Sequence, residues 1–177
     1  MTTVIERLES MDLRSQTMVR LFSDYQKARF AEIYFHKRAS ILRRHLAITK
    51  FFAAATSSAA VVGVFASVPF GDAALKILVV AAALAAIANL VKNWDATAAR
   101  YEKAALGYSI VRDLLNRLLG DIKRGDLMDE HSARASEIDA MSTALTALDD
   151  APDDKLILLA WEQTERELPS DKAWDLV

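Results

Sequence analysis

The chain has 177 residues, of which 53% are hydrophobic, and it contains no cysteine, which excludes disulfide frameworks, thiolate zinc sites and cysteine nucleophiles. Its net charge of −2 combines a basic first part, with ten Lys/Arg against five Asp/Glu in residues 1–50, and an acidic last part, with four against fourteen in residues 125–177. No nucleic-acid binding module is recognisable, and the five glycines and three prolines interrupt the chain so rarely that we predict an all-α protein.

The N-terminal arm, residues 1–50, is predicted to be helical. A short amphipathic piece covers residues 4–11, and Asp12 or Ser15 is a suitable cap for the next helix. From about Arg14 no glycine or proline occurs before Gly63, which predicts one very long helix. Apolar residues at helical spacing predict a stripe that packs on a partner helix: Met18, Leu21, Phe22, Tyr25 and Ala28.

Residues 51–94 predict a two-transmembrane helical hairpin. Residues 51–71 contain no charge over 21 positions, and a helix of that length spans about 32 Å, enough for a hydrocarbon core of about 30 Å. A second span covers 73–94 if Lys76 snorkels to the interface, with the turn at 68–72. The alternative is an alanine-rich hairpin inside a soluble helical protein.

Basic residues flank the predicted hairpin. Five of them precede it and one lies at the end of its second span: Lys37, Arg38, Arg43, Arg44, Lys50 and Lys92. Clusters of Lys and Arg beside a span are typical of the cytoplasmic side of a membrane, so both termini are predicted to be cytoplasmic. A solvated basic helix face explains the same charges if the hairpin is soluble.

Two sets of residues within the predicted spans are candidates for helix association. Small residues recur every fourth position at Ala55, Ala59, Gly63 and Ser67, which permits close packing of the two spans or of neighbouring copies. The polar residues at membrane depth are Thr56, Ser57, Ser58 and Asn89. We interpret these four as interhelical hydrogen-bonding groups, or as pore-lining groups if an oligomer encloses a pore.

The cytoplasmic region, residues 95–177, is predicted to hold three helical segments. The first continues after Trp94 and stops near Gly125, and it runs antiparallel to the N-terminal arm. Its seam follows a heptad repeat: Tyr101, Ala104, Tyr108, Val111, Leu115, Leu118 and Ile122.

Two further helices are predicted in the acidic C-terminal part. One begins at Asp129 or Ser132, with a stripe of Ile138, Met141, Leu145 and Leu148. The other covers 155–168, after an acidic break and before Pro169, with Leu156, Leu159 and Ala160 on one side.

No residue pattern indicates chemistry. His36, His45 and His131 are isolated, and neither a metal-binding helix motif nor a glycine-rich phosphate loop occurs. We therefore expect no catalytic residues, no metal and no cofactor, and we predict that the protein is not an enzyme.

The order of these features resembles the SLATT family of two-transmembrane effector domains. The likeness covers about residues 28–119: the arm 34–39 (YFHKRA), a first span, a tight turn, a second span, then Trp94, residues 98–101 (AARY) and Tyr108. The resemblance implies a bacterial inner-membrane protein that oligomerises and permeabilises the membrane in antiviral defence. It also implies a nucleotide-signalling or sensor protein as a partner.

Three functions therefore remain open. The first is this membrane effector, a homo-oligomer in the lipid bilayer without a nucleic-acid partner. The second is a membrane adaptor or scaffold without a pore, which recruits a partner through its acidic C-terminal helices. The third is a soluble all-helical interaction module.

Overall fold

The structure, a computed structural model, describes residues 2–57, nine positions between 73 and 87, and residues 93–124, 128–146 and 152–170. Four helices are bounded within these ranges: α1 (Thr2–Ser57), α2 (Trp94–Arg124), α3 (Met128–Thr146) and α4 (Asp154–Glu167). The nine positions between α1 and α2 are also helical, and the described ranges contain no strand. The predicted all-α class is confirmed.

Helix α1 is longer at its beginning than the sequence predicted. It runs without a break from Thr2, so the predicted cap at Asp12 or Ser15 is wrong. The physical reason is that Asp and Ser cost only a few tenths of a kcal/mol more than good helix formers inside a helix, and no glycine or proline stands there to stop it.

Helix α2 has recognisable signals at both ends. Asn93 immediately precedes it with a φ of 45°, a left-handed conformation that Asn tolerates. The Asn93 carbonyl accepts hydrogen bonds from the Thr97 backbone N–H at 3.0 Å and the Thr97 hydroxyl at 3.1 Å. Asp95 in the first turn and Arg124 in the last complement the helix dipole. The helix ends directly before Gly125, as predicted.

Helix α4 begins at a well-formed cap. The Asp153 carboxylate accepts hydrogen bonds from the backbone N–H groups of Lys155, at 3.0 Å, and Leu156, at 3.2 Å. At the other end the Leu168 N–H donates to the Thr164 carbonyl at 2.7 Å, directly before Pro169. The acidic break and the final proline therefore bound this helix as predicted.

The chain divides into two compact units, and the division falls within α1 and within α2. Residues 1–37 and 102–177 form one unit, which we call the bundle, and residues 38–101 form the other, which we call the shaft. The predicted boundaries at 50/51 and 94/95 stay a prediction.

The core of the bundle lies along the heptad seam of α2. Helices α1 and α2 run antiparallel there, since Glu32 pairs with Arg112 at 2.7 Å and the Phe35 and Tyr108 rings stack at 5.7 Å. The predicted seam positions of the bundle are all buried: Ala104, Tyr108, Val111, Leu115, Leu118 and Ile122. The arm stripe is buried at four positions, with Tyr25 half-buried: Met18, Leu21, Phe22 and Ala28.

The stripes predicted for α3 and α4 are only partly correct. Ile138 is buried on α3, but Met141 is 42% exposed and Leu145 half-buried. On α4 the buried residues are Leu156, Ala160 and Thr164, whereas Leu159 is exposed. A short helix that contacts its neighbours along a narrow line buries a single row of residues, which here is i, i+4, i+8.

Among the described residues no helix is both long enough and apolar enough to cross a membrane. Most of the predicted span 51–71, half of the predicted span 73–94 and the whole turn at 68–72 fall outside those residues. The hairpin therefore stays a prediction.

Candidate functional site

The shaft exposes a large amount of apolar surface. Between residues 51 and 87 every side chain that the structure describes is exposed. Phe51 is 69% exposed and Ile77 is 71% exposed. The other large apolar side chains of this group are Phe52, Val79, Val80, Leu84 and Ile87.

This exposure is costly in water. Full burial of one such side chain is worth about 1.5–3 kcal/mol. Removal of all seven from water would therefore supply a large favourable free energy. Several exposed large apolar side chains in one unit indicate a region that contacts a membrane, a ligand or another protein. The shaft is therefore the first candidate site.

The beginning of the shaft is basic. Residues 38–57 contain three arginines and one lysine but no acidic residue. Arg43, Arg44 and Lys50 are exposed. Arg38 is half-buried, with its guanidinium 4.7 Å from the centre of the Tyr101 ring, a cation–π geometry.

Aromatic contact also joins the two helices of the shaft. The His45 and Trp94 rings lie 5.9 Å apart and are tilted by 43°. Together with the Arg38–Tyr101 contact, this pair shows that the two helices run antiparallel within the shaft. Trp94 is half-buried.

Several predicted site residues lie where the structure describes only the backbone or nothing. Ala55, Thr56 and Ser57 lie in the last turn of α1, without described side chains. The remaining members of the packing, polar and basic sets lie outside the described residues: Ser58, Ala59, Gly63, Ser67, Asn89 and Lys92. Their predicted roles stay predictions. Lys37 belongs to the bundle.

The second candidate site is in the bundle, where α4 is fastened along α1. The Asp153 N–H donates to the Tyr34 hydroxyl at 3.1 Å, and the Trp161 ring stacks on Phe30 at 4.5 Å. Towards the end of α4, the Gln26 amide donates to the Leu168 carbonyl at 2.7 Å. From one contact to the next the residue number falls along α1 and rises along α4, so the two helices are antiparallel.

An ion-pair network connects α4 to α1 and α2. The Glu32 carboxylate lies 3.0 Å from Arg29 and 2.7 Å from Arg112. Arg29 also binds Glu167 through two nitrogens, at 2.9 and 2.7 Å. A hydrogen bond from Gln163 and the contacts from Arg29 hold the pKa of Glu167 below its ordinary value. One arginine thus links the end of α4 to the α1–α2 pair.

A cleft of about 470 Å³ lies beside this network. Its residues come from α1, α2 and α4, and include Ile33, His36, Lys37, Leu106 and Gln163. Sequence reasoning missed both the cleft and the network, because their members are scattered over three helices and no local motif relates them. Among the described residues no three acidic or histidine side chains are grouped to hold a metal ion.

Comparison of the chain with known proteins adds no relative. No protein-family model, no curated protein and no solved structure matches it. The resemblance to SLATT proteins stays a prediction from the sequence.

Proposed function

We propose that the protein is a membrane effector whose shaft extends into a two-span hairpin in the bacterial inner membrane. The observation that carries this proposal is the exposure of the apolar side chains that the structure describes between residues 51 and 87, next to a basic segment without acidic residues. Apolar side chains exposed to the hydrocarbon of a membrane do not carry the free-energy cost that they carry when exposed to water. The bundle, whose apolar seam is buried, stays in the cytoplasm.

The proposed trigger acts on the bundle. Helix α4 is held on α1 by polar and aromatic contacts and by the Arg29–Glu167 pair. We define two states of the bundle, one with α4 packed on α1 and one with α4 detached. A ligand or partner with different affinities for these two states shifts the population between them. Because α1 continues from the bundle into the shaft, a change in its packing reaches the spans. The oligomer then perturbs the membrane.

The resemblance to SLATT proteins supplies the biological setting of the proposal. It supports antiviral defence as the process, and a nucleotide-signalling or sensor protein as the partner that delivers the trigger. The small-residue and polar sets at 55–67 and 89 are the proposed packing and pore-lining positions.

Fractionation and ion flux test the proposal in order. We expect the full-length chain to remain in the membrane pellet after carbonate extraction, and the purified protein in liposomes to release a trapped ion. An Arg29→Ala variant removes the Arg29–Glu167 pair and weakens the α4 attachment, so it is expected to change that release. Arg166→Ala, which loses a pair within α4, is the matched control. Recovery in the supernatant, or intact liposomes in every oligomeric state, contradicts the effector.

A membrane adaptor without a pore is the second candidate, and one observation favours it. Leu158 and Leu159 on α4 are 70% and 50% exposed among acidic residues, an arrangement that fits a partner surface. Under this function, Leu158→Ser with Leu159→Ser abolishes binding of the partner protein and leaves membrane residence unchanged. Ion flux that persists in this double variant without any partner contradicts the adaptor.

A further inference from the structure

We infer that the shaft binds the headgroups of anionic phospholipids through Arg43, Arg44 and Lys50, at the level marked by Trp94. The inference rests on the proposed function and deepens it, because it names the class of lipid that the shaft recognises. Its first support is charge. The shaft sequence holds seven Lys/Arg against two Asp, whereas the bundle holds fifteen Lys/Arg against twenty-two Asp/Glu.

This division makes the shaft the basic unit of an acidic protein. The bundle repels an anionic surface at long range, so attraction to one must come from the shaft. On α1 no negative charge offsets the basic side chains, because residues 38–57 contain no acidic residue. Each Lys or Arg of a basic segment beside an anionic membrane surface adds to this attraction.

The second support is the order of side chains along one helix face. Arg44, Ile48 and Phe51 follow at i, i+4 and i+7, so they share a face, and all three are exposed. Moving along this face from Arg44 to Phe51 covers about 10 Å, from a charged group to a fully apolar one. Such a gradient matches the passage from headgroups to acyl chains.

Lys50 lies on the neighbouring face, one residue before Phe51, and Arg43 precedes it by seven positions. The lysine stem is long enough to lie along apolar surface while its ammonium group reaches the phosphates. The three basic groups of α1 therefore lie within about 10 Å of one another along the helix axis, beside the exposed Ile48 and Phe51.

Trp94 fixes the level of the interface independently. Its ring lies 5.9 Å from His45, the residue next to Arg44, so an indole and the basic group occupy the same height of the shaft. Tryptophan is enriched at the boundary between headgroups and hydrocarbon, where its ring is apolar and its N–H is polar. Exposed Phe51 and Ile48 on the same surface favour a lipid over a nucleic acid, which offers phosphates without acyl chains.

Native mass spectrometry of the full-length chain in neutral detergent tests the inference. The probes are phosphatidylglycerol, phosphatidylcholine of the same chain length, inorganic phosphate and a short RNA of equal phosphate concentration. We expect phosphatidylglycerol to bind more tightly than phosphatidylcholine. The double variant Arg44→Gln with Lys50→Gln should bind phosphatidylglycerol roughly thirtyfold more weakly. This loss corresponds to two charges at about 1 kcal/mol each.

Two further variants complete the experiment. Arg44→Lys with Lys50→Arg keeps both charges and should keep the preference. Arg117→Gln with Lys123→Gln removes two exposed charges from the bundle and should leave lipid binding unchanged.

The outcomes separate this inference from the proposed function. Equal binding of the two lipids, the same thirtyfold loss in the bundle control, or displacement of phosphatidylglycerol by inorganic phosphate overturns the headgroup site and leaves membrane insertion standing. Preferential binding of the RNA overturns the lipid as the occupant. Recovery of the chain in the supernatant of fractionated cells overturns the proposed function itself.

Discussion

At the scale of single residues, two glycines of α2 differ in the space that surrounds them. A Cβ on Gly107 would lie 2.7 and 2.9 Å from the two methyl groups of Leu145, because α3 approaches closely there. A Cβ on Gly120 would meet nothing within 4 Å. Gly107 thus serves the packing of α2 against α3, whereas Gly120 only weakens the helix.

The pair gives a prediction on stability. Gly120→Ala is expected to raise the free energy of unfolding by about 0.8–1 kcal/mol, the gain in helix propensity. Gly107→Ala gains the same propensity but must displace Leu145, so its net effect should be smaller. Denaturant unfolding followed by circular dichroism measures both variants. In a Leu145→Ala background the two glycine substitutions should become similar, and equal gains in the parent chain would refute the close approach.

At the scale of elements, α4 depends on contacts of several kinds with α1. Its narrow buried row of Leu156, Ala160 and Thr164 supplies limited apolar area. The hydrogen bond from the Asp153 N–H to the Tyr34 hydroxyl and the Glu167–Arg29 pair add polar contacts to α1. The Thr164 hydroxyl is buried without penalty, because it donates to the Ala160 carbonyl at 2.8 Å.

The lowered pKa of Glu167 predicts how this attachment responds to acid. The folded pKa lies below the ordinary value of 4.5, so the unfolded chain binds more protons in the window between them, and stability falls as the pH drops below about 4.5. Glu167→Gln should reduce this fall, as measured by thermal unfolding at pH 6 and pH 3.5. Glu162→Gln, at a carboxylate paired with Arg166 inside α4, is the control. An identical pH response in both variants would exclude the Glu167 link.

At the scale of the whole molecule, the division into a basic shaft and an acidic bundle corresponds to the proposed division between membrane and cytoplasm. The chain has no cysteine, so single introduced cysteines report topology without interference. Ala73→Cys, just after the predicted turn, should react with a membrane-impermeant maleimide added to intact cells. Ser170→Cys should react only after the cells are opened. Labelling of both positions, or of neither, in intact cells would contradict the predicted hairpin.

The sequence by itself determined the all-α class, the end of α2, both ends of α4 and the main core of the bundle. Few glycines and prolines and a strict heptad predicted α2, its antiparallel contact with α1 and its buried seam, because a repeat that matches the helix period brings the same face to the partner at every turn. The acidic break and Pro169 likewise bounded α4.

Only the tertiary structure decided which side chains of the shorter helices are buried, and which distant residues meet. Leu159 and Met141 fit an apolar stripe but face outwards, since burial depends on where the neighbouring helix lies and not on hydrophobicity alone. The Arg29–Glu167 and Glu32–Arg112 pairs and the contact of Gly107 with Leu145 join residues that lie far apart in the sequence. No local pattern encodes such contacts, because they exist only after the helices have packed.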